Sequence, residues 1–195
     1  SGRRIVMGHY AAGGRTMVPV EECPVHSDRG NQLAFTLRDQ LTRARVSPDV
    51  LRHVLIRTTE GGRQAVMMLI VTRNDRSLRK PIRAFLELAG APDGFFVHIN
   101  DRPGPFMVGR ETIRLAGRPH VREDALGPAY LISPAAFFQT NIGSTRSLID
   151  LVMSGVGDAR RVLDLYSGSG LFTIPLALNG AVVTAVEENV QANDD

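Results

Sequence analysis

Residues 161–187 read RVLDLYSGSGLFTIPLALNGAVVTAVE and contain one strand, loop, helix and strand in succession. The apolar run at 161–166 predicts a buried strand, and Ser167-Gly168-Ser169-Gly170 predicts a tight turn. Residues 171–178 predict a helix and 181–187 a second strand. A strand, a crossover helix and another strand make a βαβ unit, so the two strands are expected to be parallel.

Two glycines and two carboxylates mark this unit. Gly168 and Gly170 let the backbone turn sharply and let a ligand approach it without meeting a Cβ atom. Asp164 precedes the turn, and Glu187 ends the second strand, where a carboxylate can accept both hydroxyls of a ribose. A tight turn without a ligand would explain the glycines nearly as often. The full order of strand, acid, Gly-x-Gly, helix, strand and acid favours a nucleoside site.

The ligand of this turn is expected to lack a pyrophosphate. Turns that bind dinucleotides carry a third glycine, and Thr173 stands at that position here. A carboxylate just before the turn suits a ligand with a positive charge better than an anion. S-Adenosylmethionine, which joins an adenosine to a sulfonium cation, therefore fits the pattern better than the cofactor of a nucleotide-dependent oxidoreductase.

Residues 1–133 have a different texture, with short apolar runs among arginines. Leu33, Leu37 and Leu41 recur at helical spacing and predict an amphipathic helix over 31–44. Glu60-Gly61-Gly62 separates two apolar runs and predicts a hairpin. The predicted strands lie at 5–7, 16–20, 52–59, 65–71, 94–99, 112–115 and 130–132, with a second helix at 77–88 and a loop at 101–105. These elements predict an α+β domain rich in antiparallel pairs.

A second domain is predicted over 134–195. Its first helix carries Leu148, Ile149 and Val152 on one face and ends near Gly155 and Gly157. Asn141, Ser144 and Thr145 are the candidate caps at its start. The βαβ unit of 161–187 follows.

Composition adds weak constraints. The net charge is +3, from 23 basic and 20 acidic residues, and it suits an anionic partner such as RNA as well as it suits a genome rich in arginine codons. The single cysteine excludes an internal disulfide and any metal site built from this chain's cysteines alone. No apolar run approaches the roughly 18 residues of a membrane-spanning helix, so a cytoplasmic location is expected.

Two motifs at a fixed spacing resemble a known family. Phe137-Phe138-Gln139-Thr140-Asn141 is followed about 20 residues later by the glycine turn of 162–170. This pair resembles the RNA 5-methyluridine methyltransferases, in which Phe-x-Gln-x-Asn precedes a helix and an Asp-Leu-Tyr/Phe-Cys-Gly-x-Gly cofactor loop. Glu21-Glu22-Cys23-Pro24 resembles a Cys-Pro of the same family, so the resemblance covers most of the chain. It implies a Rossmann-like methyltransferase domain after an α+β central domain.

The resemblance implies contacts to S-adenosylmethionine from Gln139, Tyr166, the backbone around Leu171, and Glu187. It also implies that Asp164, Gly168 and Gly170 shape the cofactor loop. Two positions depart from the family pattern: Ser167 replaces a cysteine, and Leu171 replaces an asparagine, which leaves only main-chain groups for contact at that position.

In this family a cysteine thiolate adds to C6 of uracil, C5 takes the methyl group, and a carboxylate removes the C5 proton. Both residues are expected beyond residue 195, so the chain is expected to be inactive by itself. Cys23 is not expected to be the nucleophile. It matches the fourth ligand of an iron–sulfur cluster found in some members, or it is a small buried residue.

The family further implies an RNA substrate, with ribosomal RNA favoured over transfer RNA. Arg43, Arg45, Arg73, Arg76 and Arg79 are candidate phosphate contacts, and a solvated face is the simpler explanation of them. A catalytically silent RNA-binding module is the main alternative to an enzyme. A parallel sheet of only two strands leaves apolar faces uncovered, so dimerisation or strand exchange is also expected.

Overall fold

The computed structural model describes residues 5–14, 16–102, 111–124, 126–189 and 192. The chain divides into two compact units, Ser1–Pro119 and His120–Asp195. This division lies earlier than the boundary expected at residue 133, because the short strands at Val121–Glu123 and Tyr130–Ile132 pair with each other. The part of the expected loop at 103–105 lies outside the described residues.

The first unit contains a four-stranded sheet, a two-stranded hairpin and two helices. Its elements are β1 Gly8–Tyr10, β2 Met17–Pro19, α1 Asp28–Arg43, β3 Leu51–Thr58, β4 Ala65–Val71, α2 Arg79–Leu86, β5 Gly94–Ile99 and β6 Glu111–Gly117. The sheet order is β3-β4-β5-β6, and β1 pairs only with β2. The predicted hairpin of β3 and β4 is confirmed in antiparallel register.

The sheet is mixed, because β4 and β5 are parallel. Helix α2 is the crossover between them, as a parallel connection requires. The pairs β1–β2, β3–β4 and β5–β6 are antiparallel, so the described part of this unit is rich in antiparallel pairs, as predicted, and contains one parallel pair as well. The first predicted strand was wrong in its bounds: Ile5 is a buried core residue, and the ladder begins at Gly8.

Helix α1 begins three residues before its predicted start. The Ser27 hydroxyl oxygen accepts a hydrogen bond from the Gly30 amide at 3.1 Å and caps the helix. Leu33, Leu37 and Leu41 are buried, as the spacing predicted. They pack in the core with apolar side chains of β4, β5 and α2.

The guanidinium of Arg29, on the first turn of α1, connects three segments of this unit. It donates to the carbonyl oxygens of Gly62 at 2.9 Å and Arg63 at 2.7 Å, in the turn after β3. It also donates to Asp93 Oδ2 at 2.9 Å, and the same oxygen accepts the Ala65 amide at 2.7 Å. Arg29 therefore holds the β3–β4 turn and the entry to β5 against α1.

The second unit contains one antiparallel pair and the βαβ unit. Its elements are β7 Val121–Glu123, β8 Tyr130–Ile132, α3 Ile142–Val156, β9 Arg161–Leu165, α4 Thr173–Leu178 and β10 Val182–Val186. Strands β9 and β10 are parallel over their whole length, which confirms the βαβ prediction. Asn141 is the cap of α3, with its side chain accepting from the Ser144 amide, and Gly157 ends the helix at φ +56°.

One face of the β9–β10 sheet is open. Leu163 and Leu165 lie two positions apart on β9 and therefore share one face, and the register places them beside Thr184 and Val186 of β10. Leu163 is 60% exposed and Leu165 56% exposed, although both faces of a parallel sheet are usually covered. The uncovered apolar face expected from the sequence is therefore present. Among the described residues, no helix has the length and apolar character to cross a membrane.

Candidate functional site

The turn between β9 and α4 adopts a strained backbone conformation. Tyr166, Gly168 and Gly170 have φ values of +61°, +56° and +82°. Glycine adopts such angles without cost, whereas a tyrosine in the left-handed region is uncommon and tends to occur at functional sites. The Tyr166 side chain is 86% exposed, so its conformation is not explained by burial of the ring.

Glu187, the residue just after β10, closes this loop from the neighbouring strand. Its Oε2 accepts the Gly168 amide at 2.8 Å, and its Oε1 accepts the Asn189 amide at 2.8 Å. These amide bonds, that from Asn189 first, lower the pKa of the Glu187 carboxyl and keep it ionised at neutral pH. A carboxylate at the end of a strand beside a glycine turn can accept the hydroxyls of a ribose.

Asp164 lies on β9 and is directed towards the start of α4. The hydroxyl of Thr173, the first residue of α4, donates to Asp164 Oδ2. Thr173 occupies the position where a dinucleotide-binding turn would have its third glycine, and here it tethers the helix to the strand. Asp164 thus connects β9 to the start of α4 and fixes the geometry of the loop between them.

The Phe137–Asn141 segment lies next to the glycine loop. A Cβ atom built on Gly168 would lie 3.8 Å from the Phe137 carbonyl oxygen, so the two sequence motifs meet in space. Phe138 is buried and Gln139 half-buried, whereas Phe137 is 75% exposed. Adjacent side chains point in opposite directions, and Phe138 is the one of the two phenylalanines that faces the core.

The backbone of Leu171 is held by a residue that the sequence did not indicate. Tyr130 of β8 is fully buried, and its hydroxyl donates to the Leu171 carbonyl oxygen at 3.2 Å. Its ring also contacts Phe138, with 5.6 Å between the ring centroids. No local pattern in the sequence marks this contact, because the two residues are 41 positions apart.

The residues present fit an adenosyl ligand. An ionised carboxylate at the end of β10, glycines without Cβ atoms and an exposed aromatic ring at Tyr166 lie on one loop. A carboxylate can bind the ribose hydroxyls, glycines allow close approach to the main chain, and an aromatic ring can stack on a base. The loop offers no lysine or arginine for a phosphate, since residues 164–173 read DLYSGSGLFT.

Cys23 does not form a cluster site with the residues around it. Its amide donates to Asn31 Oδ1 at 2.8 Å and its carbonyl accepts from Asn31 Nδ2 at 3.0 Å, while its side chain is half-buried. Within the described ranges, no three His, Cys, Asp or Glu side chains converge as metal ligands. Cys23 as one ligand of an iron–sulfur cluster stays a prediction.

A cavity lies elsewhere, in the first unit between α2 and the strands β5 and β6. Its volume is about 510 Å³, and its floor is formed by apolar side chains such as Ile82, Val97 and Ile113. Arg83 at its rim is paired with Glu87, and the cavity lacks the strained glycines and the amide-bound carboxylate of the loop. We therefore assign the candidate site to the loop rather than to the cavity.

Comparison with known proteins agrees with this geometry. No family model matches the chain. An RNA methyltransferase of Thermosynechococcus vestitus, itself uncharacterized, is 29% identical over 197 residues, which cover 95% of this chain and 44% of the relative. A 23S rRNA (uracil(747)-C(5))-methyltransferase of Pyrococcus abyssi is 32% identical over 185 residues, which cover 91% of this chain and 43% of the relative.

A solved structure shares the fold. The tRNA (uracil-54, C5)-methyltransferase of Pyrococcus abyssi, in complex with S-adenosyl-L-homocysteine, superposes with a TM-score of 0.78 at 23% identity. The match covers 95% of this chain and 46% of that one. The chain thus spans a little under half the length of the relatives it matches.

The relatives, together with the shared fold, place the chain in the class of S-adenosylmethionine-dependent methyltransferases. Within that class it belongs to the RNA uracil-C5 methyltransferase family, as the paired motifs and the relatives indicate.

Proposed function

We propose that this chain forms the cofactor-binding part of an enzyme that transfers a methyl group from S-adenosylmethionine to C5 of a uridine in RNA. The observation that carries the proposal is the position of the ionised Glu187 carboxylate, which follows β10 and accepts the Gly168 amide of the strained loop at 2.8 Å, where a carboxylate can bind a ribose. The chain's relatives include enzymes named for uracil-C5 methylation of ribosomal RNA and of transfer RNA.

Each residue of the loop has a distinct part in this proposal. Glu187 accepts hydrogen bonds from the ribose, Gly168 and Gly170 allow the ligand to approach the main chain, and Tyr166 covers the base. Gln139 lies on the neighbouring segment and contacts the same ligand. When bound, S-adenosylmethionine supplies an electrophilic methyl group. The attacking thiolate and the proton-accepting carboxylate that the family implies stay predictions for residues beyond 195.

The experiment that tests this proposal is a calorimetric titration of the chain with S-adenosylhomocysteine. We expect Glu187→Ala to weaken binding about tenfold or more, because a charged acceptor and the loop closure are lost together. Glu188→Ala is the matched control, since Glu188 is the exposed neighbour, and its affinity should equal that of the parent chain. A folded parent chain without affinity, or equal affinities for both variants, would contradict the proposal.

The RNA contact is proposed on the first unit. Arg43, Arg45, Arg76 and Arg79 have exposed side chains, whereas Arg73 is bonded to Asp49 at 2.9 Å. Exposed arginines contact phosphates, and such binding weakens steeply with salt. Fluorescence anisotropy with a uridine-containing RNA, combined with the calorimetric titration, separates a methyltransferase from a catalytically silent RNA-binding module. Such a module would bind RNA and not S-adenosylhomocysteine. Ribosomal RNA as the substrate and a cytoplasmic location stay predictions.

Self-association is proposed for the open face of the second unit. Leu163, Leu165, Val182 and Val186 lie on one side of the two-stranded sheet and are more than half exposed. Burial of such side chains against a second copy would stabilise a dimer by about 25 cal/mol for each Å² of apolar surface covered, before the cost of association.

A further inference from the structure

We propose that Tyr130 is a positioning residue that fixes the glycine loop by supplying the hydrogen-bond donor that Pro175 lacks. The inference rests on the proposed function in one respect only: the loop is taken to be the part that holds the cofactor. The conformational part of the inference stands on the described residues alone.

In the first turn of α4, as in any α-helix, hydrogen bonds run from an amide to the carbonyl four residues earlier. The Ile174 amide donates to the Gly170 carbonyl at 3.0 Å, and the Leu176 amide donates to the Phe172 carbonyl at 3.1 Å. Between them, the carbonyl of Leu171 faces residue 175, which is a proline and has no N–H. The helical ladder therefore skips Leu171.

The skipped carbonyl belongs to a buried residue and needs a donor, because a buried unpaired carbonyl is unfavourable. The Tyr130 hydroxyl reaches it at 3.2 Å. Burial raises the pKa of Tyr130 to about 12, so the hydroxyl keeps its proton and donates throughout the physiological range. The tyrosine thus takes the place of the missing amide.

The same side chain reaches the other half of the candidate site. Its ring packs against Phe138, which precedes Gln139. One buried residue therefore contacts both segments to which cofactor contacts are assigned, the glycine loop through Leu171 and the Gln139 segment through Phe138. A hydroxyl at this position fixes the orientation of the Leu171 peptide without touching the ligand.

Loss of the hydroxyl should shift the loop towards conformations that do not bind the cofactor. The apparent affinity of a site falls in proportion to the population of its competent conformation. An orphaned carbonyl of this kind corresponds to a loss of about fivefold to tenfold in that population.

The experiment compares Tyr130→Phe, Tyr10→Phe and the double variant Tyr130→Phe/Pro175→Ala. Tyr10 is an exposed tyrosine of the first unit and serves as the matched control. Alanine at 175 restores an amide directed at the Leu171 carbonyl, so the double variant should recover what Tyr130→Phe loses. Two readouts are used: amide hydrogen exchange at Gly170, Ile174 and Leu176 without ligand, and calorimetric affinity for S-adenosylhomocysteine.

We expect Tyr130→Phe to speed exchange at these amides and to weaken binding, each by about fivefold or more, with both effects reversed in the double variant. Unchanged exchange in Tyr130→Phe, or a double variant without rescue, would overturn the positioning role. The parent chain itself could fail to bind S-adenosylhomocysteine while Tyr130→Phe exchanges faster and the double variant is rescued. That result would support the positioning role and contradict the proposed function. If Tyr130→Phe were less stable but bound S-adenosylhomocysteine with unaltered affinity, Tyr130 would have a structural role only, and the positioning role would be overturned.

Discussion

Replacing Gly168 by alanine separates the cost of loop strain from the loss of a binding surface. Gly168 has φ +56°, and a Cβ atom there would have the Phe137 carbonyl oxygen, at 3.8 Å, as a close neighbour. That distance is an ordinary van der Waals contact, so the substitution adds no clash. Gly168→Ala should therefore lower the free energy of unfolding by about 1–2 kcal/mol, which is the cost of holding alanine in the left-handed conformation.

Gly180 provides the control for this substitution. It ends α4 at φ +95°, and a Cβ atom there would have no heavy atom within 4 Å. Gly180→Ala should therefore lower the free energy of unfolding by at least as much as Gly168→Ala, measured by urea denaturation.

The two variants should differ in affinity for the cofactor. The Cβ atom of Gly168→Ala would occupy the space through which a ligand approaches the loop, and we expect calorimetry with S-adenosylhomocysteine to show about tenfold weaker binding or more. Gly180→Ala should bind as the parent chain does. Equal affinities for the two variants would refute the reasoning, because strain alone would then account for the glycine.

Three further predictions concern stability and association. Arg29→Ala should lower the free energy of unfolding by about 2–3 kcal/mol in urea denaturation, because its charged hydrogen bonds join three segments, whereas Arg83→Ala at an exposed i,i+4 pair should cost under about 1 kcal/mol. Because the pKa of Glu187 is lowered from 4.5, its carboxylate stabilises the fold above that pH, and the stabilisation disappears as the pH falls through the lowered value; the difference in melting temperature between the parent chain and Glu187→Gln should therefore shrink in acid. Leu163→Lys should weaken self-association in sedimentation experiments, whereas Leu88→Lys in the first unit should not; a parent chain that stays monomeric at high concentration would contradict the proposed dimer.

The sequence predicted the elements whose signals are local. The spacing of Leu33, Leu37 and Leu41 located α1, and the two glycines located the turn after β9, because periodicity and turn chemistry act within a few residues. The strand–helix–strand order of β4, α2 and β5 is typical of a parallel pair, whereas the neighbouring hairpin of β3 and β4 indicates antiparallel pairing. The prediction followed the hairpin. The hydroxyl of Tyr130 was not predictable, because its acceptor lies 41 positions away and only the folded chain brings them together.

The two acidic residues of the sequence motif have different tasks, which the structure distinguishes by their partners. Asp164 accepts the hydroxyl of Thr173 and holds the start of α4 against β9. Glu187 accepts the main-chain amides of Gly168 and Asn189, and its ionised carboxylate follows the strand end at which a ribose is proposed to bind. A substitution at Asp164 should therefore disturb the loop through its geometry, whereas one at Glu187 removes a direct acceptor as well. Asp164 is for this reason proposed to shape the loop, and Glu187 is the acceptor proposed for the ribose hydroxyls.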